Sequence, residues 1–141
     1  MIQILDCNDA ALRLWRDDDC IWSPGFARLS DDSFQFGDLA WQQARKSPWK
    51  VNSRYWNRLS TQPLSPALGP ARHAADLVHS HLKFLFGPCT EIHPVILGIP
   101  ASMEQSQISL LLGILETLPV QTRAVLHRSA LIGACVGRNC A

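Results

Sequence analysis

The sequence lacks a long apolar run and an excess of charge of one sign. Its longest apolar stretch, Ile108 to Leu115, is far shorter than the ~20 residues of a membrane span, and no basic region followed by an apolar one opens the chain. Thirteen Lys and Arg against twelve Asp and Glu leave a net charge of +1, which provides no global attraction to nucleic acid or acidic lipid. We therefore predict a soluble, cytoplasmic protein without nucleic-acid or membrane partners.

Paired cysteines are missing as well. The five cysteines are odd in number and never form a C-x-x-C pair, which argues against a disulfide framework and against a zinc knuckle. What the chain does have is 141 residues with 47% hydrophobic content, enough for one ordinary core. We expect one compact domain with buried or idle thiols, and we assign no chemistry to Cys7.

The N-terminal third has the pattern of two strand hairpins followed by a short helix. The first hairpin turns at Cys7-Asn8-Asp9, and the second turns at Ser30-Asp31-Asp32-Ser33 between phenylalanine-containing strands. Helical spacing then begins at Asp38 and stops at Ser47-Pro48, which predicts a helix of about two turns.

The second half alternates between helical and strand patterns. Proline-rich sequence before Pro70 predicts a loop, and the elements predicted after it are a helix (His73–Phe86), a buried strand (Val95–Ile99), a helix (Glu104–Leu118), a strand (Val120–Leu126) and helix-compatible sequence from Ser129 onward. This order favours parallel strands joined by right-handed crossovers. The fold class predicted is α/β, a mixed sheet with helices packed on it.

Two clusters of side chains each allow a functional and a structural interpretation. The first contains Arg54, Tyr55, Trp56 and Arg58, in which basic residues alternate with aromatic ones, a pattern that suits the binding of single-stranded nucleic acid. Because the charge is not clustered beyond this segment, an aromatic wedge packed on the sheet is favoured.

The three histidines His73, His79 and His81 lie close in sequence, but the last two cannot share a helix face. A metal site would need His73 together with a ligand at Asp76 or at position 77. Solvated or partly packed histidines are the favoured interpretation.

The order of elements and the residues at their joints resemble a known family. The matching stretches are GIPASMEQSQ (98–107), SPGFARLSDDSFQFGDLAWQQARKSP (23–48), the Arg58-Leu59 pair and LPVQTRAVLHRSALIGACVG (118–137). Together they resemble the N-terminal lobe of the seventy-kilodalton heat-shock chaperones, which belong to the actin-like ATPase superfamily and have a ribonuclease-H-like core. The resemblance extends over nearly the whole chain.

The resemblance implies a site for ATP with Mg²⁺, and it places four residues there. Asp6 stands where the family has its metal-water aspartate, and Asn8 and Asp9 occupy the phosphate loop without the glycine that lets backbone approach a phosphate. Asn57 replaces the family's catalytic lysine and supplies no positive charge. For Asp6, we weigh metal binding against the simpler role of capping the first hairpin turn.

These departures imply a divergent, chaperone-like nucleotide-binding lobe whose ATP binding and hydrolysis are weak or lost, with no cofactor expected for the isolated chain. Arg128-Ser129 also stands where the family has Glu-Pro. The alternative is a non-catalytic protein-interaction module on the same fold. Because the length covers one lobe, we expect a fragment of a two-lobed protein whose partner is its own second lobe, another protein or a second copy. A homodimer would use the final helix, Ser129 to Val136.

Overall fold

The computed structural model describes residues 2–8, 10–31, 33–88 and 90–130. Its strands are β1 (Gln3–Cys7), β2 (Ala11–Arg16), β3 (Asp19–Pro24), β4 (Ala27–Ser30), β5 (Ser33–Phe36), β6 (Val51–Asn52), β7 (Pro63–Leu68), β8 (Ala71–His73), β9 (His93–Ile99) and β10 (Val120–His127). Its helices are α1 (Asp38–Gln43), α2 (Ala74–Phe86) and α3 (Gln105–Glu116), with one 3-10 turn at Pro48–Lys50.

Five strands form the main sheet, in the order β10-β9-β1-β2-β3. Strands β1, β2 and β3 pair antiparallel, whereas β9 is parallel to both β1 and β10. Helix α2 precedes β9 and α3 joins β9 to β10, so the second half forms the expected parallel crossover. The predicted mixed sheet is confirmed, as are the two hairpins and the three helices within the described residues.

The hydrophobic core lies on one face of this sheet. Leu5, Leu14 and Leu97 are fully buried there and pack with the apolar stripe of α2. The stripe predicted from sequence is buried throughout: Ala74, Leu77, Val78, Leu82 and Leu85. Strand β9 lies between β1 and β10, as predicted for a central strand, and its Val95, Leu97 and Ile99 are buried, whereas Ile96 on the other face is only partly buried.

The opposite face of the sheet carries apolar side chains that remain partly exposed. In the strand register, Ile96, Ile4 and Trp15 lie in one row across β9, β1 and β2. Trp15 and Trp22 are 43% and 46% exposed. The two faces of one sheet therefore differ in burial, although both carry apolar residues.

The expected loop before Pro70 is wrong in part, because Pro63–Leu68 forms strand β7 and pairs with β8. Register pairs are present at Pro63↔His73 and Leu68↔Ala71, with an irregularity between them. Pro63 is the first residue of the strand and Pro66 lies in the irregular part, which are positions where a missing backbone N–H is tolerated. The prolines therefore led to the prediction of a loop, although their positions are compatible with a short strand.

Both long helices begin with reciprocal caps. The His73 side chain and Asp76 cap the start of α2, and Glu104 and Gln107 cap the start of α3. Helix α2 ends at Phe86, and the residue that follows is Gly87, whose φ of 70° suits glycine. No helix in the described part of the chain is both long and apolar enough to cross a bilayer. The predicted final helix falls on residues 129–136, of which those from 131 onward lie outside the described residues.

Candidate functional site

Three parallel strands end at the same edge of the main sheet. Strands β1, β9 and β10 end at Cys7, Ile99 and His127, and their register aligns Asp6 with Gly98 and Leu126. In open α/β sheets, ligands bind outside the carboxyl ends of parallel strands. This edge is therefore a candidate binding site.

At this edge the Asp6 carboxylate is held by Arg128. The Nε of Arg128 donates to Oδ1 of Asp6 at 2.7 Å, and one terminal guanidinium nitrogen donates to Oδ2 at 3.3 Å. The Asp6 and Arg128 side chains are 16% and 29% exposed, so water reaches both. We call these two residues the edge pair. The fork geometry matches both carboxylate oxygens with a fixed positive charge.

The strand order explains why two residues so far apart in sequence can meet. Asp6 ends β1 and Arg128 follows β10, and β9 lies between them. The β9 residue in register with Asp6 is Gly98, which has no side chain to stand between the two. A larger residue at position 98 would place its side chain in the row that the edge pair bridges.

The turn after β1 uses its polar groups for itself. The backbone N–H of Asn8 donates to the carbonyl of Ala11 at 3.1 Å, and the N–H of Ala10 donates to Oδ1 of Asn8 at 2.9 Å. The carbonyl of Ala10 accepts from Gly25 N–H at 2.9 Å. Asn8 therefore caps this turn, while the two carboxylate oxygens of Asp6 accept from Arg128. Asp9 lies outside the described residues.

Asn57 lies on a different turn. Its side chain is exposed, and its backbone carbonyl accepts from Nε2 of Gln107 at 3.3 Å, which connects the turn to the start of α3. Within the described residues, no hydrogen bond or ion pair joins Asn57 to Asp6 or Asn8. Of the four predicted site residues, Asp6 and Asn8 thus lie at the end of β1, whereas Asn57 lies on the turn that contacts the start of α3.

A second polar group of side chains lies inside the core. His81 is 0% exposed, and its Nε2 lies 2.8 Å from Oγ of Ser23. Its Nδ1 lies 2.9 Å from the hydroxyl of Tyr55 and accepts from Nε1 of Trp56 at 3.0 Å. The ring of Phe36 stacks on the imidazole, with centroids 5.0 Å apart. We call Ser23, Tyr55, Trp56 and His81 the histidine cluster.

The tautomer of His81 follows from its partners. The indole N–H of Trp56 can only donate, so Nδ1 of His81 must be the acceptor and Nε2 must carry the proton. His81 then donates to Ser23, so Nε2 has no free lone pair with which to take a proton from the hydroxyl. Burial lowers the pKa of His81 to about 3, which keeps the ring neutral. Ser23 and His81 therefore form a structural hydrogen bond and not a nucleophile with its base.

The histidine cluster was not predicted from the sequence, although one signal for it was present. His81 lies three residues after Val78 and four after Leu77, so it belongs to the buried stripe of α2. The expectation of a solvated or partly packed histidine is wrong for His81. For Tyr55 and Trp56, the packed aromatic wedge is confirmed, because both are buried, while Arg54 and Arg58 remain exposed.

The remaining candidates have structural roles. His73 lies beside Asp76, with Nδ1 3.0 Å from Oδ2, and both residues cap α2. In the part of the chain that the structure describes, no group of three or more His, Cys, Asp or Glu could hold a metal ion. Cys7 is buried as expected, and burial, followed by the neighbouring Asp6 carboxylate, raises the pKa of its thiol. Cys20 is exposed and free.

Comparison with known proteins rests on structure alone. No protein-family model and no curated protein matches the sequence. The crystal structure of MreB5 of Spiroplasma citri bound to ADP is similar, with a TM-score of 0.63 and 13% sequence identity. The similarity covers 89% of this chain and 37% of the MreB5 chain. The chain thus shares the fold of that structure, which confirms the predicted fold class, and it spans little more than a third of the length of the MreB5 chain.

Proposed function

We propose that the chain is a divergent nucleotide-binding lobe of the actin-like ATPase type, related to the seventy-kilodalton heat-shock chaperones, in which the site for ATP with Mg²⁺ is degenerate. The observation that carries the proposal is the edge pair. Asp6 is the carboxylate that a metal or its bound water would need, and Arg128 donates two hydrogen bonds to it. A cation at Asp6 would have to displace a guanidinium that is already in place.

The turn after β1 supports the same conclusion. A phosphate loop works by directing backbone N–H groups at the ligand. Here the N–H of Asn8 bonds to Ala11, and the N–H of Ala10 bonds to the Asn8 side chain. The residues present therefore do not fit ATP with Mg²⁺, and Asn57 adds no positive charge where the resemblance places a lysine. We infer that ATP binding is weak or lost and that the lobe does not hydrolyse ATP.

The direct test is titration calorimetry with ATP, in magnesium and then in EDTA. We expect no saturable, magnesium-dependent binding below the millimolar range by the original chain. Micromolar binding that requires magnesium would contradict the proposal and would make Asp6 a working ligand.

A gain-of-function variant tests the role of the edge pair. Arg128→Gln leaves the Asp6 carboxylate without its guanidinium, so we expect it to bind Mn²⁺ more tightly than the original chain, as measured by the electron paramagnetic resonance of free Mn²⁺. Arg123→Gln is the matched control, because it removes an exposed arginine from the same end of the chain. If both variants bind Mn²⁺ equally tightly, the affinity for Mn²⁺ depends on overall charge and not on the edge pair.

The second candidate function is a protein-interaction module. It is favoured by the partly exposed apolar face of the main sheet, where Trp15, Trp22 and Leu126 reach solvent. The partner would be the second lobe of the same chain, another protein or a second copy. Trp15→Ser should lower the apparent mass in sedimentation if a second copy covers this face. The Ser129–Val136 surface proposed for a homodimer lies, from residue 131, outside the described residues.

A further inference from the structure

We propose that a groove between the 53–58 turn and β7 binds a small phosphate monoester that carries an apolar group. The groove has a volume of about 360 Å³, which lies within the range of ~300–1,000 Å³ typical of small-molecule sites. It shares no lining residue with the edge pair. The groove is therefore distinct from the edge pair, and Asn57 of the same turn is not among its lining residues.

Two arginines give the groove its charge. Arg54 and Arg58 both line it and are exposed, and no carboxylate is among the lining residues. The N–H of Arg58 donates to the carbonyl of Arg54 at 2.8 Å, so a single backbone turn holds the two residues together. Guanidinium groups bind phosphate through paired N–H donors, so the two arginines favour an anionic ligand in this groove.

The turn that carries these arginines is attached to the core through its aromatic side chains. Tyr55 and Trp56 lie between them in sequence, are buried, and bond to His81 in the core. A site built on an anchored turn loses less conformational entropy when a ligand binds. This arrangement accounts for the alternation of basic and aromatic residues: the aromatic side chains fix the turn, and the basic side chains face outward.

The burial of the aromatic residues also narrows the class of ligand. Single-stranded nucleic acid is held by stacking its bases on accessible aromatic rings, and Tyr55 and Trp56 are 1% and 3% exposed. A chain of stacked bases therefore finds no platform here. The arginines remain available, which leaves a small anion as the chemistry that the groove can recognise.

The lining of the groove also includes apolar side chains and hydroxyl groups. Pro63, Leu64 and Pro66 of β7 contribute apolar surface, and the hydroxyls of Ser53 and Ser65 are at exposed positions. An anion with no apolar part would leave the apolar β7 residues in contact with water. A monoester whose organic group contacts β7 and whose dianion meets the arginines uses both parts of the lining.

Phenyl phosphate is a suitable probe, with inorganic phosphate and phenol as its two halves. In amide NMR titrations of the full chain, we expect saturable shifts within residues 51–66 for phenyl phosphate, weaker binding of inorganic phosphate and no saturation by phenol. Arg54→Gln and Arg58→Gln should each weaken binding about tenfold, since each removes a charged hydrogen-bond donor. Raising the salt concentration should weaken binding of the original chain.

Arg123→Gln is the matched control, because it removes an exposed arginine that does not line the groove. The proposal is overturned if phenyl phosphate fails to saturate below 10 mM, roughly the weak limit for a small ligand. It is also overturned if Arg123→Gln weakens binding as much as the groove variants, or if phenol binds as tightly as phenyl phosphate. Equal binding of inorganic phosphate would overturn the assignment of a monoester.

Discussion

The histidine cluster and the edge pair are both polar, and both join segments distant in sequence, but they differ in their access to water. His81 is fully buried and neutral, and three side chains satisfy its two ring nitrogens. Asp6 and Arg128 are charged and remain partly exposed. Neutral polar groups can be sealed in a core when every one of them is hydrogen-bonded, whereas a charged pair is costly to bury even when paired.

The difference indicates which of the two groups supports the fold. A satisfied buried network becomes costly as soon as one member is removed, because the others lose their partners in a medium where water cannot replace them. A partly exposed ion pair contributes little, since water and salt screen it. We therefore expect the histidine cluster to carry stability, and the edge pair to control what the carboxyl edge of the sheet can bind.

The largest expected effect comes from His81→Leu. The substitution leaves the hydroxyls of Ser23 and Tyr55 and the indole N–H of Trp56 without their partner, and each unsatisfied buried group costs about 1–3 kcal/mol. We expect the free energy of unfolding, measured by urea denaturation, to fall by about 4 kcal/mol.

His79→Leu is the control for this variant, because it changes a partly exposed histidine of the same helix. Its effect should stay within about 0.5 kcal/mol. If His81→Leu destabilised the protein by less than its control, the histidine cluster would not be a determinant of stability.

The second effect is a loss of stability in acid. The pKa of folded His81 is lowered to about 3 by burial, against an ordinary value of 6.5. Between these pH values the unfolded chain takes up a proton that the folded chain does not. The contribution of neutral His81 to the free energy of unfolding is therefore fully present above pH 6.5 and decreases as the pH falls. The loss should be about 3 kcal/mol between pH 7 and pH 4.

Because other groups also change their protonation in this pH range, the test compares the original chain with a variant that lacks His81. Urea midpoints of the original chain and of His81→Gln, taken from pH 7 to pH 4, should converge toward acid, because glutamine has no proton to gain. Parallel curves would mean that His81 is protonated in the folded state or is not the group responsible.

Sequence patterns predicted the features of this fold that depend on neighbours along the chain. The two hairpins, the stripe of α2 and the buried strand β9 follow from turn residues and hydrophobic periodicity. Strand β7 was not predicted, because its pairing with β8 is set by tertiary contacts while its prolines suggested a loop. The local sequence of β7 contains no strand pattern clear enough to be recognised among its prolines.

The polar contacts of the edge pair and of the histidine cluster were harder to predict. Arg128 lies 122 positions from Asp6, and their meeting depends on the order β10-β9-β1. Both positions were noted through the family resemblance, but the contact between them was not predicted. His81 could have been placed in the core from its position on the stripe of α2, whereas its partner Ser23, 58 positions away, could not.

A third and smaller effect measures the edge pair directly. In a double-mutant cycle of Asp6→Asn and Arg128→Gln, we expect a coupling energy of about 0.5–1 kcal/mol, because the pair is well oriented but reached by water. The coupling should shrink in 1 M salt, where the screening length is roughly 3 Å. A coupling of several kcal/mol that salt does not change would place the edge pair with the histidine cluster as a structural element.

The smallest effect concerns the turn that follows Asp6. Asn8→Ala removes the side-chain oxygen that accepts the N–H of Ala10, while the bond from Asn8 N–H to Ala11 can remain. The Ala10 N–H is exposed and water can replace the lost acceptor, so we expect the free energy of unfolding to fall by only about 0.5 kcal/mol. Asn8→Asp retains an acceptor at the same place and should be nearly neutral. If both variants destabilised the protein equally, the Asn8 amide group would hold the turn through a contact other than the Ala10 bond, and the backbone N–H groups of the turn would be less occupied than the degenerate phosphate loop requires.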